Sequence, residues 1–179
     1  KLNKEKSLIS FIGAPWTLLV YMIGAKQNKN EINLEIINKK KYEIGLILEK
    51  LINYLCLHIE NQKKAGADVV QIFDSWAGLI PLEDLNSFCY SPNSRIVEFC
   101  KKKGIPVISF PRGIRENYKD FNNLVKPDGI NIDYNIDPKW AKENLKGTVI
   151  QGGLDPKILL LSDEEIFENA RKYLDALKG

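Results

Sequence analysis

The chain has 179 residues, 44% of them apolar and 27% charged, with a formal charge of +3. That balance excludes a disordered segment and allows one domain of ordinary size with a real core. So small a charge gives no case for nucleic acid; the lysine clusters Lys39–Lys41 and Lys101–Lys103 read as solvated faces that can still attract an anionic ligand.

The start imitates a signal peptide or membrane span: Lys1–Lys6 is basic, and Ser7–Ala25 is almost wholly apolar. Gly13-Ala14-Pro15 breaks that run in its middle, where a continuous helix suffers most. The segment therefore reads as a buried strand, a turn and a short helix, with no membrane span. Lys1 in place of Met points to a natural start further upstream. Five short apolar runs predict strands: Leu8–Ile12, Val69–Phe73, Pro106–Phe110, Gly129–Ile132 and Thr148–Ile150. Some are continuous rather than alternating, as in parallel strands buried on both faces. Lys26–Asn33 reads as a polar loop.

Helical patterns lie between most of the runs. Ile44, Ile47, Leu48, Leu51, Ile52, Leu55 and Ile59 form one apolar stripe over Tyr42–Lys64, and Gly66 can end that helix in a left-handed conformation. Ser91-Pro92 predicts a cap followed by proline in the first turn, and Gly104 closes that helix. Asp137-Pro138 and Asp155-Pro156 repeat the device. Ser162 and Glu165 predict a capping box for a last helix with inner face Ile166, Phe167, Ala170, Tyr173, Leu174 and Leu177.

Alternation of strand and helix means an α/β protein with a mainly parallel sheet, read as a single domain over residues 1–179. No glycine-rich turn of the dinucleotide or P-loop kind occurs. Five strands cannot close an eight-stranded barrel, which needs about 250 residues. The chain is an open sheet or a piece of a barrel. The cysteines Cys56, Cys89 and Cys100 are odd in number and far apart, which predicts reduced thiols in a cytosolic protein. With His58 as the one histidine, a structural zinc site is not expected.

In parallel sheets, sites gather at the C-terminal ends of the strands. Those ends carry Phe73-Asp74-Ser75-Trp76-Ala77-Gly78, Phe110-Pro111-Arg112-Gly113, Asp133-Tyr134 and Gln151-Gly152-Gly153-Leu154-Asp155. These segments resemble the uroporphyrinogen decarboxylase family. Phe11-Ile12-Gly13-Ala14-Pro15-Trp16-Thr17-Leu18 with Tyr21-Met22-Ile23 is similar to its GAPWTL…YM signature, and Ala65-Gly66-Ala67-Asp68 through Gly78 to its second signature. The later blocks follow in order, with two departures: Gly153 stands where the family's QGNLDP has Asn, and Tyr134 where it has Trp.

The resemblance implies a (β/α)8 TIM barrel in the full-length protein, of which this chain covers about five units, a deep cleft, a homodimer, and no cofactor or metal. It implies conversion of uroporphyrinogen III to coproporphyrinogen III by loss of four pyrrole acetate carboxyl groups. The family's arginine-rich QAGR motif and its central aspartate would lie upstream of Lys1, and its glycine-flanked histidine beyond Gly179. No catalytic residue is therefore assigned within the chain, and the isolated chain is expected to be inactive. By the resemblance Tyr21 and Ser75 contact substrate carboxylates; without it they read as an amphipathic-helix tyrosine and a turn serine. Phe73 is expected to line the cleft or pack in the core. Arg112 can meet a propionate, or serve a structural role like Asp133. Asp74 reads as a structural hydrogen-bond or ion-pair partner, Asp155 as a helix cap, Trp16 and Trp76 as packing, and His58 as an edge position. A methyltransferase of the same superfamily and a non-catalytic tetrapyrrole-binding fragment are the alternatives.

Overall fold

Parallel strands need crossovers long enough to carry a helix, and the spacing of the apolar runs supplies them. The computed structural model describes residues 3, 5–24, 26–28 and 31–178. The readings of Lys1–Lys6, Ser7–Ala25 and Lys26–Asn33 lie in part outside the described residues, at Lys1, Leu2, Lys4, Ala25, Lys29 and Asn30.

Five strands form one parallel sheet: β1 (Ile9–Gly13), β4 (Val69–Asp74), β5 (Val107–Pro111), β6 (Gly129–Ile132) and β7 (Val149–Gly152). They lie side by side in chain order, with Ile12 opposite Ile72, Phe73 opposite Phe110, and Ile130 opposite Ile150. The predicted runs are right to within two residues at each end. Between them come α1 (Pro15–Met22), α2 (Leu34–Lys39), α3 (Lys41–Lys64), α4 (Ser91–Lys102), α5 (Tyr118–Val125) and α6 (Pro138–Asn144); α7 (Asp163–Leu177) follows β7.

Three readings need correction. The loop Lys26–Asn33 contains an antiparallel pair, β2 (Lys26–Asn28) and β3 (Glu31–Ile32). Pieces this short carry no periodicity, so backbone pairing leaves no trace in side-chain type. Ser91 does not cap α4, because the chain is already wound into a π-helical turn over Asn86–Tyr90 that buries Phe88, Cys89 and Tyr90. Its first amides thus find carbonyls in the preceding turn. On α7 the capping box of Ser162 and Glu165 is present, but no residue of that helix is buried, and Phe167 and Leu174 are exposed. By contrast, the α3 stripe is buried at Ile44, Leu48, Ile52, Leu55 and Ile59, and Gly66 follows it with φ of 108°.

The core lies between the helices and one face of the sheet. Val70, Ile72, Val107, Ile130 and Ile132 point into it, meeting Trp16, Leu19, Ile59, Ile96, Val97, Tyr118 and Phe121. Each such large side chain gains about 1.5–3 kcal/mol from leaving water. The opposite face carries Gln71, Phe73, Ile108, Phe110, Asn131 and Gln151, by strand alternation. On that face Gln71 Nε2 donates to Gln151 Oε1 at 3.1 Å. Strands β4 and β7 are separated by β5 and β6, three spacings or about 14 Å in a flat sheet. Side chains rising from a flat face at that separation do not meet, so the sheet is bent with this face concave.

One buried carboxylate ties the first helix to this sheet. Asp74, at the end of β4, is 1% exposed. Its Oδ1 accepts from Thr17 Oγ1 at 2.9 Å, and its Oδ2 from Asn93 Nδ2 at 3.2 Å. Thr17 Oγ1 in turn accepts from the Trp76 amide at 3.3 Å. The Asn93 amide also donates to the Cys89 carbonyl at 2.8 Å. The α1 helix, the β4 strand, the following loop and α4 thus share one hydrogen-bonded node. Burial pushes the Asp74 carboxyl up to about 6, against the opposing effect of the Thr17 and Asn93 donors.

Two outcomes test these features in the full-length protein. A double-mutant cycle of Gln71→Ala and Gln151→Ala should give a coupling of roughly 1 kcal/mol in urea unfolding; a coupling of zero would mean that the sheet is not bent enough for the two to meet. Asp74 holds its proton more tightly when folded than in the unfolded chain, where aspartate titrates at about 4. Its contribution is therefore fully present below that pH and lost as pH rises through about 6. Relative to Asp74→Asn, the wild type should lose on the order of 3 kcal/mol between acid and neutral pH. Parallel pH profiles for the two proteins would contradict the assignment.

Candidate functional site

Proline fixes the entry to α1. Pro15 stands at its N-terminus directly after β1, while the Ala14 amide donates to the Phe73 carbonyl at 2.9 Å. Thr17 and Tyr21 are four residues apart and share a helix face. Thr17 points down to Asp74; Tyr21, one turn on, is 58% exposed at the rim. Its ring stands edge-on to Trp76 with centroids 6.0 Å apart. Trp76 is itself held by the Thr17 bond and by its carbonyl, which accepts from Trp16 Nε1 at 3.1 Å. Trp16 stacks flat on Phe88 at 5.2 Å beneath.

The loops after β4 and β5 are zipped together. The Arg112 amide donates to the Asp74 carbonyl at 3.1 Å, and the Arg112 carbonyl accepts from the Gly78 amide at 2.9 Å. This crossing has no room for a side chain: a Cβ on Gly78 would lie 2.5 Å from the Gly113 carbonyl oxygen. Asp133, just past β6, completes the turn. Its Oδ2 accepts from the Gly113 amide at 2.6 Å and from the Tyr118 hydroxyl at 3.0 Å. Burial, then the Asp133 charge, push the Tyr118 hydroxyl far above the usual phenol range, so it stays a donor.

These loops enclose a cavity of about 450 Å³ at the C-terminal ends of β4, β5 and β6. Tyr21, Ser75 and Arg112 line it together, with Trp76, Gly78, Leu79, Gly113, Arg115, Asp133, Tyr134 and Asn135. Phe73 is not in this wall. It lies half-buried on the concave face, edge-on between Phe11 at 6.0 Å and Phe110 at 6.3 Å. Asp155 caps a 3-10 turn through the Lys157 amide at 2.9 Å. His58 is exposed on α3 and lies 3.1 Å from the Gln62 amide nitrogen. The three thiols are free; burial raises all of them, Cys100 to about 12, so none is a ready nucleophile.

Arg115, Asn135 and the role of Trp76 as a cavity wall were not expected. Arg115 lies three residues beyond Arg112, and no motif or periodicity in the sequence marks it. Chemically the cavity offers two guanidinium groups, the hydroxyls of Tyr21, Ser75 and Tyr134, and one carboxylate already engaged in two hydrogen bonds. Guanidinium and hydroxyl groups of this kind can donate hydrogen bonds to carboxylate oxygens. Among the described residues, no helix is long and apolar enough to cross a membrane.

The family model described as uroporphyrinogen decarboxylase (URO-D) matches residues 1–179. A uroporphyrinogen decarboxylase of Orientia tsutsugamushi (strain Ikeda) is 39% identical over 183 residues, covering 100% of this chain and 54% of the relative. One from Jannaschia sp. (strain CCS1) is 37% identical over 187 residues and one from Rickettsia felis 34% over 185, each again with all of this chain and 53% of the relative. The chain thus spans about half the length of the curated relatives it matches. With the match running from the first residue to the last, the chain belongs to the uroporphyrinogen decarboxylase family.

Proposed function

We propose that these residues form the middle of a decarboxylase cleft that converts uroporphyrinogen III to coproporphyrinogen III. The observation that carries the reading is the meeting of Tyr21, Ser75 and Arg112 in one cavity at the strand ends. Those three residues lie far apart in sequence, and the cavity's chemistry suits a ligand rich in carboxylates. On this reading residues 1–179 are a single domain piece, an arc of a (β/α)8 barrel, and the bend marked by Gln71 and Gln151 supports it. The full-length protein is further proposed to work as a homodimer in the cytoplasm.

The reaction needs no external electron sink. A proton added to a pyrrole carbon makes the ring cationic. The bond from the acetate methylene to its carboxylate then breaks, the electron pair flows into the ring, and carbon dioxide leaves. Protonation of the exocyclic carbon gives the methyl group, and loss of the ring proton restores the pyrrole. The protein's part is to orient the macrocycle, exclude misplacement and hold its anionic arms. Tyr21 and Ser75 donate hydrogen bonds to carboxylate oxygens, and Arg112 supplies the matching positive charge. Trp76 braces the Tyr21 ring, so the phenol reaches the cavity without losing its place.

In the full-length protein Tyr21→Phe and Ser75→Ala should each lower kcat/KM for uroporphyrinogen about tenfold, and Arg112→Gln by about tenfold to a hundredfold. Chromatography of the oxidised porphyrin products measures this. Wild-type protein that makes no coproporphyrinogen would refute the function. Wild-type kinetics in all three variants would remove the cavity from substrate binding.

A further inference from the structure

Among the described residues, two that are not glycine have a positive φ, Lys126 and Arg115, both at 54°. Lys126 is accounted for by its place. It ends α5 as a left-handed cap, its amide donates to the Asn122 carbonyl, and its own carbonyl accepts from Lys101 Nζ. Arg115 ends no helix. It opens the 3-10 turn Arg115–Asn117 just past β5, where glycine would sit without strain. Among the described residues, its guanidinium makes no hydrogen bond and no ion pair. Strain of this kind persists where the surroundings impose it, and it gathers at functional sites.

The strained backbone presents the arginine to the cavity already described. Arg112 is the other cation there and likewise has no ion-pair partner among the described residues. The one carboxylate in the wall, Asp133, accepts from the Gly113 amide and the Tyr118 hydroxyl. Both arginines are therefore exposed and line one cavity, and neither is paired with the carboxylate in its wall. A planar guanidinium with its donors free matches a carboxylate in two-point contact.

We propose that Arg115 is a second substrate-contacting cation, which with Arg112 grips a carboxylate arm of the substrate. This rests on the reading of the cavity as the tetrapyrrole site. The left-handed backbone separates the two roles that Arg115 could have. Arg115→Gly relieves the backbone while deleting the guanidinium, so stability and affinity should move in opposite directions.

The test uses the full-length protein and the variants Arg115→Gly, Arg115→Gln and Arg115→Lys, with Lys126→Gly as a control. Arg115→Gly should melt at or above the wild-type temperature, yet raise KM for uroporphyrinogen about tenfold with kcat little changed. Arg115→Gln should raise KM as much, and Arg115→Lys should recover part of the loss. Lys126→Gly should leave KM unchanged. Calorimetry with mellitate, a benzene ring bearing six carboxylates, should show about tenfold weaker binding to Arg115→Gly and Arg115→Gln. Active wild type with unchanged KM and mellitate affinity in both variants would overturn the proposal and leave the decarboxylase reading intact. Inactive wild type whose mellitate affinity still falls on substitution would overturn that reading and uphold the cation site.

Discussion

A carboxylate with almost no access to water holds the cavity end of this molecule in shape. Asp74 accepts from Thr17 on one side and Asn93 on the other, and Thr17 passes the connection to the Trp76 amide. Each of these groups sits at the end of a different segment. A buried acceptor left without its donors is expensive, so the segments are fixed relative to one another by the need to satisfy it. The exposed side chains of the cavity inherit that order. Tyr21 is one helical turn from Thr17, Ser75 is the next residue after Asp74, and Arg112 donates its amide to the Asp74 carbonyl. The polar rim is rigid because its buried base is.

The second half of the rim is fixed by backbone rather than by side chains. Gly78 and Gly113 pass so closely that neither loop can shift without the other. Asp133 closes the set by joining the Gly113 amide to the Tyr118 hydroxyl from the core side. Three consecutive strand ends, β4, β5 and β6, are thereby connected above the sheet as well as within it. Loops in such positions usually move; these are tethered by hydrogen bonds whose partners are protein groups, which fixes the backbone from which the arginines extend.

Much of this was legible in the residues. The apolar runs located all five strands of the parallel sheet, because strands covered by helices need β-branched and aliphatic residues. Local capping chemistry marked Asp137, Asp155 and the Ser162–Glu165 pair, since each acts within four residues of itself. Tyr21, Ser75 and Arg112 were found through strand ends and motif. What escaped was non-local or too short. The β2–β3 pair has no period to read. The winding of Asn86–Tyr90 ahead of Ser91 depends on burying Phe88 against Trp16, seventy residues away in the chain or more. The curvature that unites Gln71 with Gln151 belongs to the sheet as a whole, and the backbone strain at Arg115 has no signature in residue type.

Gly153 and Tyr173 constrain each other across the end of the last strand. Gly153 stands where related sequences resemble an asparagine motif, and its φ is 96°. The Tyr173 hydroxyl from α7 donates to the neighbouring Gly152 carbonyl and fills the space that any side chain at position 153 would enter. A side chain placed at position 153 meets the phenol first, while shortening the tyrosine removes the donor to the Gly152 carbonyl. The two positions are therefore a locked pair. A larger residue at position 153 is accommodated only where the ring at position 173 swings aside or is shortened.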